Sequence, residues 1–162
     1  MNRLKITILS IFALIAVSLS AQLPAAQVKT LDGKMVNTST LSNDGKPFVI
    51  TFWATWCKPC QRELKAVNEL YADWQDETGM KVYAVSIDQG QNIEKVKPLV
   101  DSEGWEFDFL LDPNSDFFRA MGGQMVPFLV IVDGKGNVVE SKSGYIDGSE
   151  SHIIEKIKSL LN

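Results

Sequence analysis

A chain of 162 residues, 45% hydrophobic and 22% charged, holds enough apolar material for one globular domain with its own core. Its formal net charge of −4 gives no basic footprint, which argues against nucleic acid as a partner. No repeat, low-complexity tract or long charge block interrupts the sequence.

The chain begins with a short basic stretch, Met1-Asn2-Arg3-Leu4-Lys5, and an almost wholly apolar run from Ile6 to Leu19. Ser18-Leu19-Ser20 then places small residues where a signal peptidase reads, with a competing cut after Leu19-Ser20-Ala21. Residues 1–21 are therefore read as a signal peptide and 22–162 as the mature domain; a retained N-terminal anchor is the alternative. The apolar run is short for a membrane span of about 20 residues, and no cysteine lies near the cut to carry a lipid. Loss of Arg3 and Lys5 would bring the net charge to −6. Export would place the two cysteines in a compartment where a disulfide is permitted.

After the cut, Gln27–Leu31 and Lys34–Asn37 read as a hairpin around Asp32-Gly33. Residues 38–46 read as loop with one helical turn near Ser39–Leu41, and Pro47 opens an apolar, β-branched strand from Phe48 to Trp53. Lys58 to Gln75 has helical spacing, with Leu64, Val67, Leu70, Tyr71 and Trp74 on one face and Gly79 beyond its end. Lys81–Ile87 reads as a buried strand. Asn92 is the expected cap of a helix from Ile93 to Ser102, kinked at Pro98. Phe107–Leu111 reads as an edge strand, and Asp112-Pro113-Asn114 as the start of a short helix ending at Met121-Gly122-Gly123. Phe128–Val132 and Val138–Ser143 form an antiparallel pair around the turn at 133–137. Ser149 is the expected cap of the last helix, whose apolar face is Ile153, Ile154, Ile157, Leu160 and Leu161; Lys156 and Lys158 complement its C-terminal dipole. Strands alternating with helices and ending in a hairpin make an α/β fold with a mixed sheet.

The chemistry concentrates in Phe52-Trp53-Ala54-Thr55-Trp56-Cys57-Lys58-Pro59-Cys60, which holds both cysteines. A strand that ends in Cys-x-x-Cys and turns into a helix is a redox arrangement. The helix N-terminus favours the thiolate of Cys57, the nucleophile of disulfide exchange. Cys60, in the first turn, can resolve the mixed disulfide. Lys58 adds positive charge, and Pro59 sits where a missing N–H costs nothing. Trp53 reads as core, and Trp56 as an exposed flat surface for a partner. A staple between distant segments is the usual structural disulfide; Cys57–Cys60 would close too small a loop to stabilise much.

Trp56-Cys57-Lys58-Pro59-Cys60, within the wider phrase Phe52–Cys60 and followed by Glu63, resembles the active site of the thioredoxin superfamily, and of its TlpA/ResA branch of extracytoplasmic thiol–disulfide oxidoreductases. The resemblance runs from about Ala26 to the C-terminus. It implies a thioredoxin fold: a mixed central sheet flanked by helices, an N-terminal hairpin, and a helix-plus-strand insertion at residues 91–111. It implies that the Val126–Pro127 bond is cis, and that Val126 offers its backbone to an extended substrate segment. It implies that Glu63, one helical turn from Cys60, relays a proton to or from that thiol. In thioredoxin itself a buried aspartate does this from the central strand; that position here is Thr51, which carries no proton at neutral pH. The sequence departs from the branch at Lys65, where a proline often kinks the helix, and at Phe128, where a threonine often follows the cis-proline.

The expected catalytic set is thus Cys57, Cys60 and Glu63, and the expected substrate-binding set Trp56, Lys58, Pro59, Val126 and Pro127, with no metal ligand and no cofactor. The expected function is reduction of disulfides in exported proteins, with apocytochrome c and a membrane thiol electron donor as the partners the resemblance implies, in a periplasmic or other extracytoplasmic monomer. A soft-metal, copper-binding or delivery module is the second reading, since two thiolates suit such an ion; His152 is the sole histidine, and it reads as surface. A c-type haem site would need histidine where Gln61 stands, and a peroxidase would need one activated cysteine in a different setting, with threonine and arginine partners in roles that nothing here supplies.

Overall fold

The structure, a computed structural model, describes residues 22–161; the expected signal peptide lies outside the described residues. Its centre is a seven-stranded mixed sheet in the order β2-β1-β5-β4-β3-β6-β7. The strands are β1 (Gln27–Thr30), β2 (Met35–Asn37), β3 (Phe48–Trp53), β4 (Lys81–Ser86), β5 (Asp108–Leu111), β6 (Phe128–Val132) and β7 (Val138–Ser143). β3, β4 and β5 run parallel to one another, whereas β6 pairs antiparallel with β3 and β7, and the N-terminal hairpin is antiparallel within itself and to β5. Four α-helices complete the fold: α1 (Lys58–Thr78), α2 (Val96–Glu103), α3 (Asp116–Ala120) and α4 (Ser151–Ser159).

β3 is buried along its whole length, as a strand covered on both faces must be. Alternation along it divides the core. Val49 and Trp53 belong to the layer that holds Leu64, Val67, Tyr71 and Trp74 of α1, Val96 and Val100 of α2, and Ile153 and Ile157 of α4. Phe48, Ile50 and Phe52 belong to the other layer, with Val28 of β1 and Phe117 and Phe118 of α3. The period of two therefore puts Thr51 on the α1 side of the sheet. This parity brings the strand's one hydroxyl under the helix that carries the cysteines.

α1 is 21 residues long and unbroken through Lys65, as expected from the loss of the branch's proline. Its C-terminus is Gly79 in the left-handed conformation (φ 66°), whose N–H closes on the Gln75 carbonyl. Leu70 departs from the expected apolar face and is exposed; its position falls between the buried ridges of Val67, Tyr71 and Trp74.

Four further expectations are corrected. Asn92 caps nothing: residues Gly90–Lys95 form a 3₁₀ segment, and the Asn92 side chain accepts from Lys95 Nζ instead. α2 starts only at Val96, so Pro98 falls in its first turn and needs no kink. β5 is not an edge strand, because the N-terminal hairpin pairs onto it, Lys29 opposite Leu111 and Thr30 opposite Leu110. The edges are β2 and β7. Ser149 makes no side-chain cap, since α4 begins one residue later than the pattern suggests, with Glu150 at the cap position; Leu161 lies past the helix end and is exposed, while Ile153 and Ile157 carry the packing.

Candidate active site

β3 ends at Trp53, and a tight turn delivers the chain to α1: the Cys57 N–H bonds to the Ala54 carbonyl at 3.0 Å. Cys57 is the N-cap of α1, with extended backbone and its sulfur accepting from the Cys60 N–H at 3.3 Å. The Cys57 and Cys60 sulfurs are joined as a disulfide, with their Cα atoms 5.3 Å apart. Cys57 keeps 5% of its surface exposed and Cys60 none, so Cys57 is the more accessible of the two. No acidic residue occupies the first turn of α1, and Lys58 and Arg62 flank it on the exposed side. The unpaired N–H groups, the helix dipole and these cations all favour a thiolate on Cys57 over a thiol.

The turn itself is anchored from β4. Asp88, buried just past that strand, accepts from the Thr55 N–H (2.8 Å), the Thr55 hydroxyl (2.7 Å) and the Ser86 hydroxyl (2.8 Å). The Gln61 side-chain amide donates to the Thr55 carbonyl at 2.6 Å. Neither residue stands out in the sequence: Asp88 reads there as a loop aspartate after an apolar strand, and only the parallel pairing of Trp53 with Ser86 puts it beside Thr55.

Glu63 is 4% exposed. The Thr51 hydroxyl donates to its Oε1 at 2.8 Å. Burial raises its pKa from the ordinary 4.5 to about 7, opposed by the Thr51 hydrogen bond and by the charge of Lys142. Thr51, which the sequence marks only as a missing acid, is thus the residue that holds the acid from the neighbouring helix. One turn separates Glu63 from Cys60, on the same inward face.

The Val126–Pro127 bond is cis. Phe128 pairs with Phe52, so Pro127 enters the sheet next to the end of β3 that leads to the cysteines. Val126 packs against the layer containing both sulfurs. Phe128 turns into the opposite layer and stacks on Phe52 with ring centroids 5.9 Å apart, which removes it from the surface that a threonine would reach. The Pro127 carbonyl accepts from the Gly144 N–H at 2.8 Å, tying the β7–α4 loop to this corner. Trp56 is 59% exposed, and Met125 and Ile146 are also open to solvent. Of these the sequence marks Trp56 alone; Met125 and Ile146 lie in loops where no periodicity marks them. Lys58 and Pro59 are exposed in the first turn of α1. His152 lies on the surface of α4, 2.6 Å from Glu140.

Residues 19–141 match the AhpC/TSA family. The chain belongs to that family. Within it, the chain is 32% identical over 121 residues to the thiol–disulfide oxidoreductase ResA of Bacillus thuringiensis, covering 75% of this chain and 67% of that one. The fold is shared with a thioredoxin-like protein from Porphyromonas gingivalis at a TM-score of 0.77 and 55% identity, covering 87% of this chain and 92% of that one. It is also shared with a putative thiol:disulfide interchange protein DsbE from Chlorobium tepidum, at a TM-score of 0.76 and 22% identity over 88% and 97% of the two chains. A cystine at a helix N-terminus, in a thioredoxin fold of this family, makes the protein a thiol–disulfide oxidoreductase.

Proposed function

We propose that the protein reduces disulfides in other exported polypeptides, working outside the cytoplasm. The observation that carries this reading is the pair of sulfurs at the start of α1, one at the surface edge and one fully buried, with a buried carboxyl one turn behind. Reduced Cys57 attacks a partner disulfide as the thiolate; one partner sulfur leaves and the other stays joined to Cys57. Cys60 then gives up its proton, attacks Cys57 and expels the second partner sulfur, restoring the disulfide. Glu63 is the proton acceptor for Cys60, because its raised pKa suits exchange near neutral pH and Thr51 holds it in place. Val126 offers backbone groups to an extended segment beside the cystine, Pro127 shapes that edge, and Trp56, Lys58 and Pro59 form the rim the segment crosses. Export, an apocytochrome c substrate and a membrane thiol donor that re-reduces the pair rest on the sequence resemblance. Among the described residues no helix is long and apolar enough to cross a membrane. The Lys58-Pro59 dipeptide lacks the histidine of strongly oxidising sites, and the dipeptide helps set the potential, which favours the reducing direction.

The test is insulin-disulfide reduction by the reduced protein, run beside titration of its thiols with and without a soft metal ion. Catalysed reduction that Cys57→Ser abolishes supports the reading. Stoichiometric metal capture by both thiols, without reduction of insulin, would support a metal-binding module instead.

A further inference from the structure

A narrow cleft opens beside Glu63, between α1, β6, β7 and α4. The space open to a water's centre is about 20 Å³, room for a single molecule. Its ionisable lining is Glu63, Glu140, Lys142, Tyr145, Glu150 and His152. Neither cysteine contributes to it, so it is a second way to Glu63 that does not pass the sulfurs.

Such a way matters at one moment in the cycle. While a partner is joined to Cys57, it covers the surface around the cysteines. Cys60 is fully buried even without a partner. A proton moved from Cys60 to Glu63 therefore has no open path forward until the partner leaves. Among the described residues, Thr51 is the hydrogen-bond partner of Glu63 and occupies Oε1 alone. The cleft leaves room for one water beside the rest of the carboxyl.

Only one ionisable pair on the cleft is suited to pass the proton on. The Tyr145 hydroxyl donates to Glu150 at 2.9 Å, and burial and that carboxylate push its pKa up to about 12. Tyr145 keeps its proton, and Glu150 is occupied by it. Lys142, exposed on β7, is a fixed positive charge that opposes the uptake of a proton by Glu63. Arg62 on α1 is turned outward to Asp147 at 3.4 Å. That leaves His152 Nε2 and Glu140 Oε1, which lie 2.6 Å apart, with Lys156 against the other Glu140 oxygen at 3.7 Å. The His152 side chain is half exposed, so the pair is in contact with bulk water.

We propose that the proton Glu63 receives from Cys60 leaves through this cleft, by way of one water, to the His152–Glu140 pair and then to solvent, so that His152 and Glu140 are positioning residues for the resolving step. The balance is simple. Cys60–SH and the Glu63 carboxylate become the Cys60 thiolate and Glu63–COOH. Glu63–COOH returns to the carboxylate as its proton crosses the water to the pair, which leaves the Cys60 thiolate with no acid beside it to take the proton back from. That thiolate then forms the bond to Cys57 as the partner thiolate leaves. No oxidant or reductant is consumed beyond the partner disulfide.

This inference rests on the reading of Glu63 as the acceptor for Cys60. The test is rapid-quench measurement of mixed-disulfide decay from pH 5 to 9 in dilute buffer, for the wild type, Glu63→Gln, His152→Gln and Glu140→Gln. The Gln side chain at 152 keeps a hydrogen bond to Glu140 but does not titrate. The expected result is roughly tenfold slower decay in His152→Gln and Glu140→Gln, a small part of the 10²–10⁴ that general acid–base catalysis supplies. Added imidazole should restore the rate of His152→Gln, while the first attack by Cys57 stays unchanged. Slow decay in Glu63→Gln with normal decay in both other variants would overturn the cleft route and leave the acceptor role standing. Normal decay in Glu63→Gln would overturn the acceptor role itself. Slow decay in His152→Gln that no concentration of imidazole relieves would mark a merely structural effect and also overturn the route.

Discussion

Replacing Glu63 by Gln should stabilise the oxidised protein, and the gain should grow with pH. In the folded chain burial holds the Glu63 pKa at about 7, against an ordinary 4.5. Below the ordinary value the carboxyl is protonated whether the chain is folded or not, and burial carries no ionic cost. Between 4.5 and about 7 the folded state binds the extra proton, so its stability falls as pH rises. Above that window both states are ionised and the full cost is present. At about 1.4 kcal/mol for each tenfold change in proton affinity, the wild type loses roughly 3 kcal/mol across the window. Gln keeps the volume, and its carbonyl still accepts from Thr51, but it has no charge to bury. Urea unfolding of the oxidised proteins at pH 4 and pH 8 reads the difference directly. The slope against urea should be the same in both proteins, because the surface exposed is the same. The variant should gain roughly 3 kcal/mol on the wild type at pH 8 and almost nothing at pH 4. A gain that does not depend on pH, or a loss at pH 8, would refute the claim that Glu63 is held as a buried acid.

Asp88→Ala should cost about 3 kcal/mol in urea unfolding, since it strands the Thr55 and Ser86 donors around a removed charge, and it should slow insulin reduction because the Thr55–Trp56 turn loses its anchor. Trp56→Ala should raise KM for a polypeptide disulfide several-fold and leave reduction of a small-molecule disulfide unchanged, as steady-state kinetics on the two substrates would show. Gly134→Ala should cost about 1–3 kcal/mol by the same unfolding measurement, because a Cβ there would meet the Gly45 carbonyl oxygen at 1.9 Å; turnover should be preserved, since Gly134 lies at the far end of β6 from Pro127.

Much of this was legible from patterns of one or two periods. β3, β6 and β7 stand where the apolar runs place them, and α1 begins at the residue after Cys57. The cysteine pair and the cis-proline lie in short motifs that a sequence displays whole. What stayed hidden depends on pairing across the chain. Phe107–Leu111 looks like an edge strand because nothing local says that the N-terminal hairpin will close against it. Pro98 looks like a kink because a 3₁₀ segment and the true helix start at Val96 share one polar pattern. Thr51 looks like a lost acid until the parity of β3 sets it under Glu63. His152 is on the surface, as it reads in the sequence, but its approach to Glu140 needs α4 packed along β7.

The order of the two sulfurs is the centre of the account, and trapping tests it most directly. Cys60→Ala and Cys57→Ala variants, reduced and mixed with a disulfide-bonded polypeptide, can be quenched with acid and mapped by mass spectrometry. The expected result is a stable mixed disulfide on Cys57 in the Cys60→Ala protein and none in the Cys57→Ala protein. A partner captured on Cys60 as readily as on Cys57 would contradict it, because a fully buried sulfur behind the helix start should not meet a partner first.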